Sequence, residues 1–395
     1  MEKYEDLVYL DHNATTYLAP EVIQKISSLL ESNFANPSSL YGVSQDAKEE
    51  LEEARTDMKR ILGIKTGKLI FTGGGSESDN LAIKGAAYAN QRKGKHIITS
   101  QVEHHAVLHT CENIEKHGFE VTYLPVDNNG VIKLEELENA IREDTILISI
   151  MYANNETGVI QPIEDIVKIA REKGVLFHTD AVQVVGKMPI NIEELDVDLL
   201  SLSAHKFYGP KGVGALYVKK RVLIDPLVHG GEQEQGKRAG TENTVGIIAM
   251  AEALKIAMQN PEKEIAREMV LRDKLENGLL KLIPESFING GTAERLSNTT
   301  NIIVKYVEGE GMLLHLDSNK ICASSGSACT SGSLDPSHVL LAMGVPHEFA
   351  HGSLRFSFGK FNTEADVDKV LEVLPTIIKT LREMSPLWDA TKESK

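Results

Sequence analysis

Short apolar runs rich in β-branched residues alternate with segments of helical periodicity over the larger, N-terminal part of the chain. The apolar runs predict strands at residues 69–72, 96–99, 145–150, 175–178 and 199–202. The periodic segments predict helices near residues 76–92, 104–117, 134–142 and 162–173, the last with Pro162 in its first turn. Strands and helices that alternate in this way indicate an α/β domain with a mostly parallel sheet.

The pattern changes in the C-terminal part of the chain. Charged helical sequence predominates from about residue 243 to 283, a strand is predicted at 300–304, and a last helix at about 363–384. Thr363 is a suitable cap for this helix, which has acidic residues in its first turn. The change predicts a smaller α+β domain in addition to the α/β domain.

A chain of 395 residues is long enough for two domains. We expect the large domain to span residues 16–259. The small domain is expected to combine residues 1–15, as an N-terminal extension, with residues 260–395. The helices predicted near residues 20–32 and 45–62 are expected to pack with the small domain or to bridge to it.

The composition is that of an ordinary globular protein, with 42% hydrophobic and 25% charged residues and a net charge of −15. The excess of acidic residues argues against a nucleic-acid-binding surface, which requires a basic footprint. No apolar run approaches the roughly 20 residues of a membrane helix. The first residues also lack an apolar signal core. The sequence therefore predicts a cytoplasmic protein that binds neither nucleic acid nor membranes.

The chain has three cysteines, Cys111, Cys322 and Cys329, and no C-x-x-C pair. This sparse, odd set disfavours a disulfide framework, a structural zinc site and an iron–sulfur cluster held by this chain alone. Cys111 and Cys322 lie in helical and apolar contexts and are expected to be buried, unreactive thiols. Cys329 lies in a Ser/Gly-rich run at residues 324–333, which predicts an exposed, mobile segment. A flexible linker with an incidental cysteine is the alternative.

Two candidate side chains directly follow predicted strands of the α/β domain. Lys206 follows the strand at 199–202, and Asp180 follows the strand at 175–178. The carboxyl ends of parallel strands form the edge at which such sheets build their sites. A Schiff-base lysine with an aspartate beside the ring nitrogen is the expected arrangement for pyridoxal phosphate. Taken singly, Lys206 could be a surface residue and Asp180 a helix cap.

Further candidates surround this pair. Residues 72–80, which include Ser76, form a glycine-rich turn between a strand and a helix. Its amides suit a monophosphate better than a nucleoside triphosphate, because the G-x-x-x-x-G-K-[ST] pattern is absent. His104 follows another strand and could stack on a planar cofactor and relay protons. Two histidine pairs spaced by four residues make a metal site an alternative, but without an H-E-x-x-H pattern we predict none: His105 with His109 and His347 with His351.

Several motifs support one family assignment. They are residues 9–16 (YLDHNATT), 36–39 (NPSS), 153–158 (ANNETG), 178–183 (HTDAVQ), 203–206 (SAHK), 239–243 (AGTEN) and 324–333 (SSGSACTSGS). In this combination the chain resembles, over nearly its whole length, the group I cysteine desulfurases of the NifS/IscS type. These belong to the class V aminotransferase family and to the fold-type I enzymes. The resemblance implies a large pyridoxal-phosphate-binding domain, with a mostly parallel seven-stranded sheet between helices, and a smaller α+β C-terminal domain.

The resemblance also implies a role for each matching residue. Lys206 would carry the Schiff base, Asp180 would pair with the ring nitrogen, and His104 would stack on the ring. Gln183 would bond to the ring hydroxyl. The phosphate would be held by Gly75, Ser76, Ser203 and His205. Thr241 would reach the phosphate in the partner subunit, which implies a homodimer. Asn155 and Arg355 would bind the substrate carboxylate, with Asn36 nearby, although a structural salt bridge of Arg355 is as well supported by the sequence alone.

The implied reaction converts L-cysteine to L-alanine. Cys329 would attack the substrate sulfur as a thiolate and keep it as a persulfide for an iron–sulfur scaffold or another thiolation acceptor. A selenocysteine lyase or an aminotransferase of the same fold, and a non-catalytic sulfur-transfer scaffold, stay open as alternatives. The chain departs from the family at Ser76, where threonine is frequent, and at Glu232 and Gln235. The family usually has arginine at the position of Gln235, and the loss of this positive charge is expected to alter substrate entry or the environment of the thiolate.

Overall fold

The computed structural model describes residues 6–325, 335–385 and 388, so the predicted sulfur acceptor Cys329 lies outside the described residues. The strands are β1 (Val8–Tyr9), β2 (Lys68–Thr72), β3 (His96–Ser100), β4 (Glu120–Leu124), β5 (Thr145–Ser149), β6 (Leu176–Asp180), β7 (Leu199–Ser203), β8 (Gly214–Val218), β9 (Ser286–Ile288), β10 (Thr299–Val304), β11 (Ile321–Cys322) and β12 (Ser353–Ser357). The helices are α1 (Pro20–Ser32), α2 (Gly42–Ile61), α3 (Gly75–Asn90), α4 (His105–Glu115), α5 (Leu134–Ala140), α6 (Ile163–Lys173), α7 (Ile192–Leu195), α8 (Gln233–Gly236), α9 (Thr244–Ala257), α10 (Pro261–Leu282), α11 (Gly309–Ser318), α12 (His338–Ala342), α13 (His347–Ala350) and α14 (Glu364–Met384). Within these residues, no helix has both the length and the apolar composition needed to cross a membrane.

The large sheet has seven strands in the order β2-β8-β7-β6-β5-β3-β4. Strands β3 to β7 run parallel, whereas β8 is antiparallel to both of its neighbours. Ile148 and Leu200 belong to the core on one face, while Leu147 and Leu199 belong to the core on the other. Because both faces are covered by helices, β5 and β7 are buried along their whole length. The predicted α/β class with a mostly parallel seven-stranded sheet is confirmed.

Because β8 is antiparallel to both β7 and β2, the strands β7 and β2 run in the same direction and end at the same edge of the sheet. At that edge Thr72 and Ser203 pair with Gly214 from opposite sides. A Cβ on Gly214 would lie 2.6 Å from the carbonyl oxygen of Leu202 and 2.8 Å from Cα of Gly74. Only glycine fits this position, and its small size lets the turn before α3 approach the end of β7.

A second core lies between the antiparallel sheet β12-β10-β9 and the helices α10, α11 and α14. Val8 and Leu10 from the start of the chain belong to this core together with Leu275. Strand β1 pairs in parallel with β11. The predicted cap of α14 is confirmed, because the side chain of Asp366 accepts a hydrogen bond from the backbone N–H of Thr363 at 2.9 Å. The limits of the two domains stay a prediction.

The helical region predicted from about residue 243 to 283 is confirmed and consists of two helices, since Pro261 starts a new helix and disfavours helical geometry in the residue before it. Two other expectations about helices were wrong. Helices α1 and α2 do not pack with the second core, because Val22 and Met58 join the core that contains Ile248 of α9. Pro162 is the cap of α6 rather than a residue of its first turn.

A buried ion pair fastens α8 to α2 and β2. Arg55 donates two hydrogen bonds, of 2.9 and 2.8 Å, to the carboxylate of Glu234, which also accepts the backbone N–H of Phe71 at 2.9 Å. Only 13% of the Arg55 side chain and 3% of the Glu234 side chain are exposed. Glu234 and Gln235 have positive φ angles of 47° and 58°. The ion pair therefore holds a strained turn in place.

Glu234→Gln should lower the free energy of unfolding by about 3 kcal/mol, because it leaves the partly buried Arg55 guanidinium without its main counter-charge. Glu52→Gln is the matched control, since Glu52 contacts the same arginine at 3.1 Å but is 54% exposed. Glu52→Gln should lower the free energy of unfolding by less than about 0.5 kcal/mol. Urea denaturation measures the free energy of unfolding of both variants. An equal loss in the two variants would contradict the conclusion that Glu234 holds the turn in place.

Candidate active site

The edge at which β6 and β7 end carries the two main candidates. Asp180 is the last residue of β6, and Lys206 ends the 3-10 turn Ala204–Lys206 that follows β7. The Lys206 ammonium donates to the backbone oxygens of Asn13 and Ala14 at 2.5 and 2.9 Å. The charge of Lys206 acts on the pKa values of both Asp180 and His104. The structure therefore brings Lys206, Asp180 and His104 together, as the sequence predicts.

Asp180 is a buried carboxylate, with a relative exposure of 7%. Burial raises its pKa to about 6, although the hydrogen bond from the backbone N–H of Val182 and the charge of Lys206 lower the pKa. The bond to Val182 is 2.9 Å long and uses Oδ1. A buried carboxylate of this kind is stabilised by a cationic N–H group placed against it, which is what a protonated pyridine ring supplies.

His104 has a fixed tautomer. It precedes α4, and its Nδ1 accepts the backbone N–H of Ala106 at 3.1 Å, so that the proton of the neutral ring must reside on Nε2. Burial, followed by the charge of Lys206, lowers the pKa of His104 to about 4. The imidazole is therefore neutral at physiological pH and presents an N–H donor from Nε2.

The glycine-rich turn forms an anion-binding surface at the same edge. A Cβ on Gly75 would lie 2.8 Å from Val182 Cγ2 and 3.6 Å from Ser203 Cβ, so a larger residue would fill the space above Ser203. The first amides of α3 have no intrahelical partners and lie at the positive end of the helix dipole. Ser76 is exposed beside them. His205 is held by Thr15, whose hydroxyl lies 3.1 Å from Nδ1.

These groups fit pyridoxal phosphate. An amine, a buried carboxylate, an imidazole and an anion-binding helix N-terminus follow one another along a single sheet edge. The open cradle at Gly75 suits the phosphate, and the buried carboxylate of Asp180 suits a protonated ring nitrogen.

The substrate side of the site is built around Arg355 in β12. Its Nη2 forms a 2.7 Å ion pair with Asp11, and its Nη1 donates to the backbone oxygen of Asn155 at 3.0 Å. The Nε of this buried arginine has no hydrogen-bond partner among the described residues. The salt bridge considered from the sequence is therefore present.

Two predicted site residues do not meet this group. Asn36 is exposed between α1 and α2, and its Oδ1 accepts the backbone N–H of Ser38 at 2.9 Å. Thr241 is exposed after α8. Among the described residues, neither side chain forms a hydrogen bond with Lys206 or Arg355. Their roles stay predictions.

Asn13 is a central residue for which no role was predicted from the sequence. Its backbone oxygen accepts hydrogen bonds from Lys206 and from Gln183 Nε2, the latter at 3.0 Å. Its Nδ2 donates to the backbone oxygen of Asn155 at 3.1 Å and to Thr299 Oγ1 at 2.9 Å. Asn13 therefore links the lysine, the predicted ring-hydroxyl donor and the substrate side. The motif at residues 9–16 was the available signal.

Glu103 is a buried acid that sequence reasoning also missed. Its Oε1 accepts the Ser100 hydroxyl at 2.6 Å, and both carboxylate oxygens lie 3.0 Å from the backbone N of Met151. Burial raises the pKa of Glu103 to about 8. Burial also raises the pKa of Asp79, which lies 3.8 Å from the buried His178. The edge of the sheet thus carries three buried carboxyl groups, Asp180, Glu103 and Asp79, whereas Lys206 supplies one positive charge.

The residues on either side of the segment 326–334 contact the substrate side. Ser324 and Arg355 exchange backbone hydrogen bonds of 3.1 and 2.7 Å. Ser337 donates to Glu156 at 2.5 Å, and Glu156 adjoins Asn155. His338 Nε2 donates to the backbone oxygen of Glu103 at 2.9 Å. Both described flanks of this segment are therefore held next to predicted substrate or proton-transfer residues.

The other thiols and the histidine pairs behave differently. Cys111 is fully buried in α4, as predicted, and burial raises its pKa. Cys322 is only half-buried, because the short pairing of β1 with β11 covers one side of it, so its predicted burial was wrong. His105 and His109 stack at a centroid distance of 4.9 Å. In the described part of the chain, no group of three or more His, Cys, Asp or Glu side chains is arranged to hold a metal.

Comparison with known proteins assigns the chain and its fold to a family. The model of the aminotransferase class-V family matches residues 8–370. The chain is 53% identical to the cysteine desulfurase IscS of Clostridium botulinum strain Hall over 390 residues, which cover 98% of each chain. It is 55% identical to the cysteine desulfurase IscS of Methanosarcina thermophila, over 96% of this chain and 94% of that one. A solved NifS-like protein superposes with a TM-score of 0.89 at 40% identity, over 95% of this chain and all of the other.

Replacing Glu103 should change how stability depends on pH. The folded state keeps a proton on Glu103 up to a pKa of about 8, whereas the unfolded chain releases it near the ordinary glutamate pKa of 4.5. The folded protein therefore binds more protons between these values, and stability falls as the pH rises through that window. Glu103→Gln removes this loss.

The variant should match the wild type near pH 5 and exceed its free energy of unfolding by roughly 2 kcal/mol at pH 8.5, measured by urea denaturation. Glu135→Gln, at an exposed position, is the control and should leave the pH dependence unchanged. Parallel stability curves for wild type and Glu103→Gln would show that Glu103 is ionised in the folded protein.

Proposed function

We propose that this chain, which belongs to the aminotransferase class-V family and is a pyridoxal-phosphate-dependent cysteine desulfurase, performs its chemistry with Lys206, Asp180 and His104. The observation that carries the assignment is the convergence of these three side chains at the end of β6 and β7. Pyridoxal phosphate, when bound, supplies an aldehyde for a covalent link and a ring that stabilises negative charge on the substrate α-carbon.

The two charged residues have complementary roles. Lys206 provides the amine that holds the cofactor and, once released, takes the α-proton of the substrate at Nζ. Asp180 keeps a proton on the ring nitrogen, because a buried carboxylate strongly favours a cationic partner. The backbone oxygens of Asn13 and Ala14 orient the lysine amine toward one side of the edge.

His104 and Arg355 serve the substrate. The N–H at Nε2 of His104 can donate a hydrogen bond to the substrate, since the lowered pKa of about 4 keeps the ring neutral at physiological pH and Nδ1 is already bonded to the Ala106 N–H. The unpaired Nε of Arg355, with the adjacent Asn155, suits the carboxylate of L-cysteine. The anion-binding surface formed by Gly75, Ser76 and Ser203 would hold the phosphate of the cofactor.

We propose Cys329 as the residue that receives the sulfur. Its thiolate attacks the substrate sulfur, so that an S–S bond forms and the C–S bond breaks. The electron pair of the broken bond remains on carbon, which takes a proton to give L-alanine. The proposal is supported by the Ser/Gly-rich sequence around Cys329 and by the contacts of Ser324 and Ser337 with the substrate side. The persulfide would then pass to an acceptor such as an iron–sulfur scaffold in the cytoplasm.

We also propose that the chain forms a homodimer. Large apolar side chains are exposed one after another from α1 to the start of α2: Ile23, Leu30, Phe34, Leu40 and Tyr41. Such an apolar surface is typical of an interaction site. Thr241 is exposed, and it can reach the phosphate of a neighbouring subunit only if a second copy of the chain binds.

Cys329→Ser should abolish persulfide formation and sulfide release while leaving cofactor binding intact, because serine cannot accept sulfur as a persulfide. Mass analysis after incubation with L-cysteine measures the added sulfur, and the visible absorbance of the bound cofactor measures its retention. Cys322→Ser is the control and should behave as wild type. Lys206→Ala should lose both the covalent cofactor and the activity. Undiminished sulfide release by Cys329→Ser would favour a selenocysteine-lyase-like reaction instead.

The double variant Phe34→Glu and Leu40→Glu should weaken dimerisation at least about tenfold, because it places two charges in the apolar surface. Sedimentation velocity over a concentration series measures the association. Leu314→Glu is the control, since Leu314 is similarly exposed, at 71%, but lies on α11. A monomeric wild type, or equal behaviour of the double variant and the control, would contradict the proposed interface.

A further inference from the structure

Lys187 is a second lysine beside the catalytic one. It follows β6 and lines a cavity of about 130 Å³ that Lys206 and Glu268 also line. Its Nζ donates to Asn13 Oδ1 and to Gln183 Oε1, each at 2.8 Å. Among the described residues, no carboxylate lies within ion-pair distance of this ammonium. A partly buried cation bonded to two neutral amides calls for a functional explanation.

The ammonium decides how two amide side chains are oriented. Lysine can only donate hydrogen bonds, so the oxygens of Asn13 and Gln183 must face Lys187. The Nε2 of Gln183 is therefore directed away from the lysine, where it donates to the backbone oxygen of Asn13. This NH₂ group is the donor that contact with a ring hydroxyl oxygen requires. Without Lys187 the amide could rotate and present its oxygen instead.

Lys187 also places a positive charge next to Lys206. Both ammonium groups are bonded to the same residue, Asn13, one to its backbone oxygen and the other to its side chain. Two positive charges held by one residue repel each other, which disfavours the charged form of each amine. Burial and then the charge of Lys206 lower the pKa of Lys187 to about 7. Other titratable or charged groups act on Lys187, are acted on by it or line the same cavity: Glu268, Arg355, His12, His205, Tyr208, Lys263, Glu264 and Lys360.

We propose that Lys187 is a positioning residue for the cofactor: it fixes the Gln183 amide with its NH₂ group toward the ring, and its charge favours the uncharged form of the Lys206 nitrogen. The inference rests on the proposed function of Lys206 and Gln183 in binding pyridoxal phosphate. It assigns to Lys187 no contact with the substrate.

Lys187→Met and Lys187→Gln should raise the midpoint of the pH titration of the bound-cofactor absorbance by about one pH unit, because loss of a neighbouring positive charge favours the protonated nitrogen. Lys187→Arg keeps the charge and should stay close to wild type. Lys263→Met is the control, since Lys263 is exposed at the rim of the same cavity. Its midpoint should not move.

Binding of pyridoxal phosphate to the cofactor-free protein supplies a second readout. The affinity should fall about tenfold in Lys187→Met, because the Gln183 amide is no longer held in one orientation. Lys187→Gln covers the case in which the methionine variant does not fold. Unchanged midpoints and affinities in both neutral variants would overturn the inference.

The two proposals fail differently. If wild-type protein binds no cofactor covalently or releases no sulfide from L-cysteine, the proposed function of Lys206 fails. If wild-type protein does both and the Lys187 variants titrate and bind as wild type does, only the role of Lys187 fails.

Discussion

The hydrogen bonds of Asn13 hold the functional parts of this molecule together. The N-terminal segment leaves the second core after Leu10 and passes Ser357 through an isolated bridge at Asp11. It then delivers the backbone oxygen of Asn13 to Lys206. The side chain of the same residue reaches Thr299 in the small sheet. The position of the Lys206 amine thus depends on a connection between two cores that are built from distant parts of the chain.

The sequence was informative where the relevant contacts are local. Apolar periodicity and strand ends were enough to place Asp180 and Lys206 at one sheet edge, because parallel strands bring their carboxyl ends together whatever the loops do. The partners of these residues were not accessible in this way. Arg355 and Asp11 are separated by 344 residues, and Lys206 and Asn13 by 193. Such pairs arise from the packing of whole domains, on which local periodicity carries no information. The wrong placement of α1 and α2 has the same origin.

Electrostatics divide the site into two sides. Buried acids, Asp180, Glu103 and Asp79, have raised pKa values, mainly because burial removes water from them. Lys187, which is bonded to the same Asn13 as Lys206, has a lowered pKa, first because of burial and then because of the charge of Lys206. Neither side neutralises the other directly within the described residues. A bound group with a cationic ring nitrogen and anionic oxygens would complement both sides, which is the charge pattern of the proposed cofactor.

The reversal of strand β8 makes the glycine-rich turn before α3 depend on a residue that has no functional group. Gly214 separates Leu202 from Gly74 and cannot accept even one added carbon without moving one of them. Substitution of Gly214 would therefore be tolerated as poorly as substitution of a residue that binds the cofactor. A survey that ranks positions only by the polarity of their side chains would overlook it.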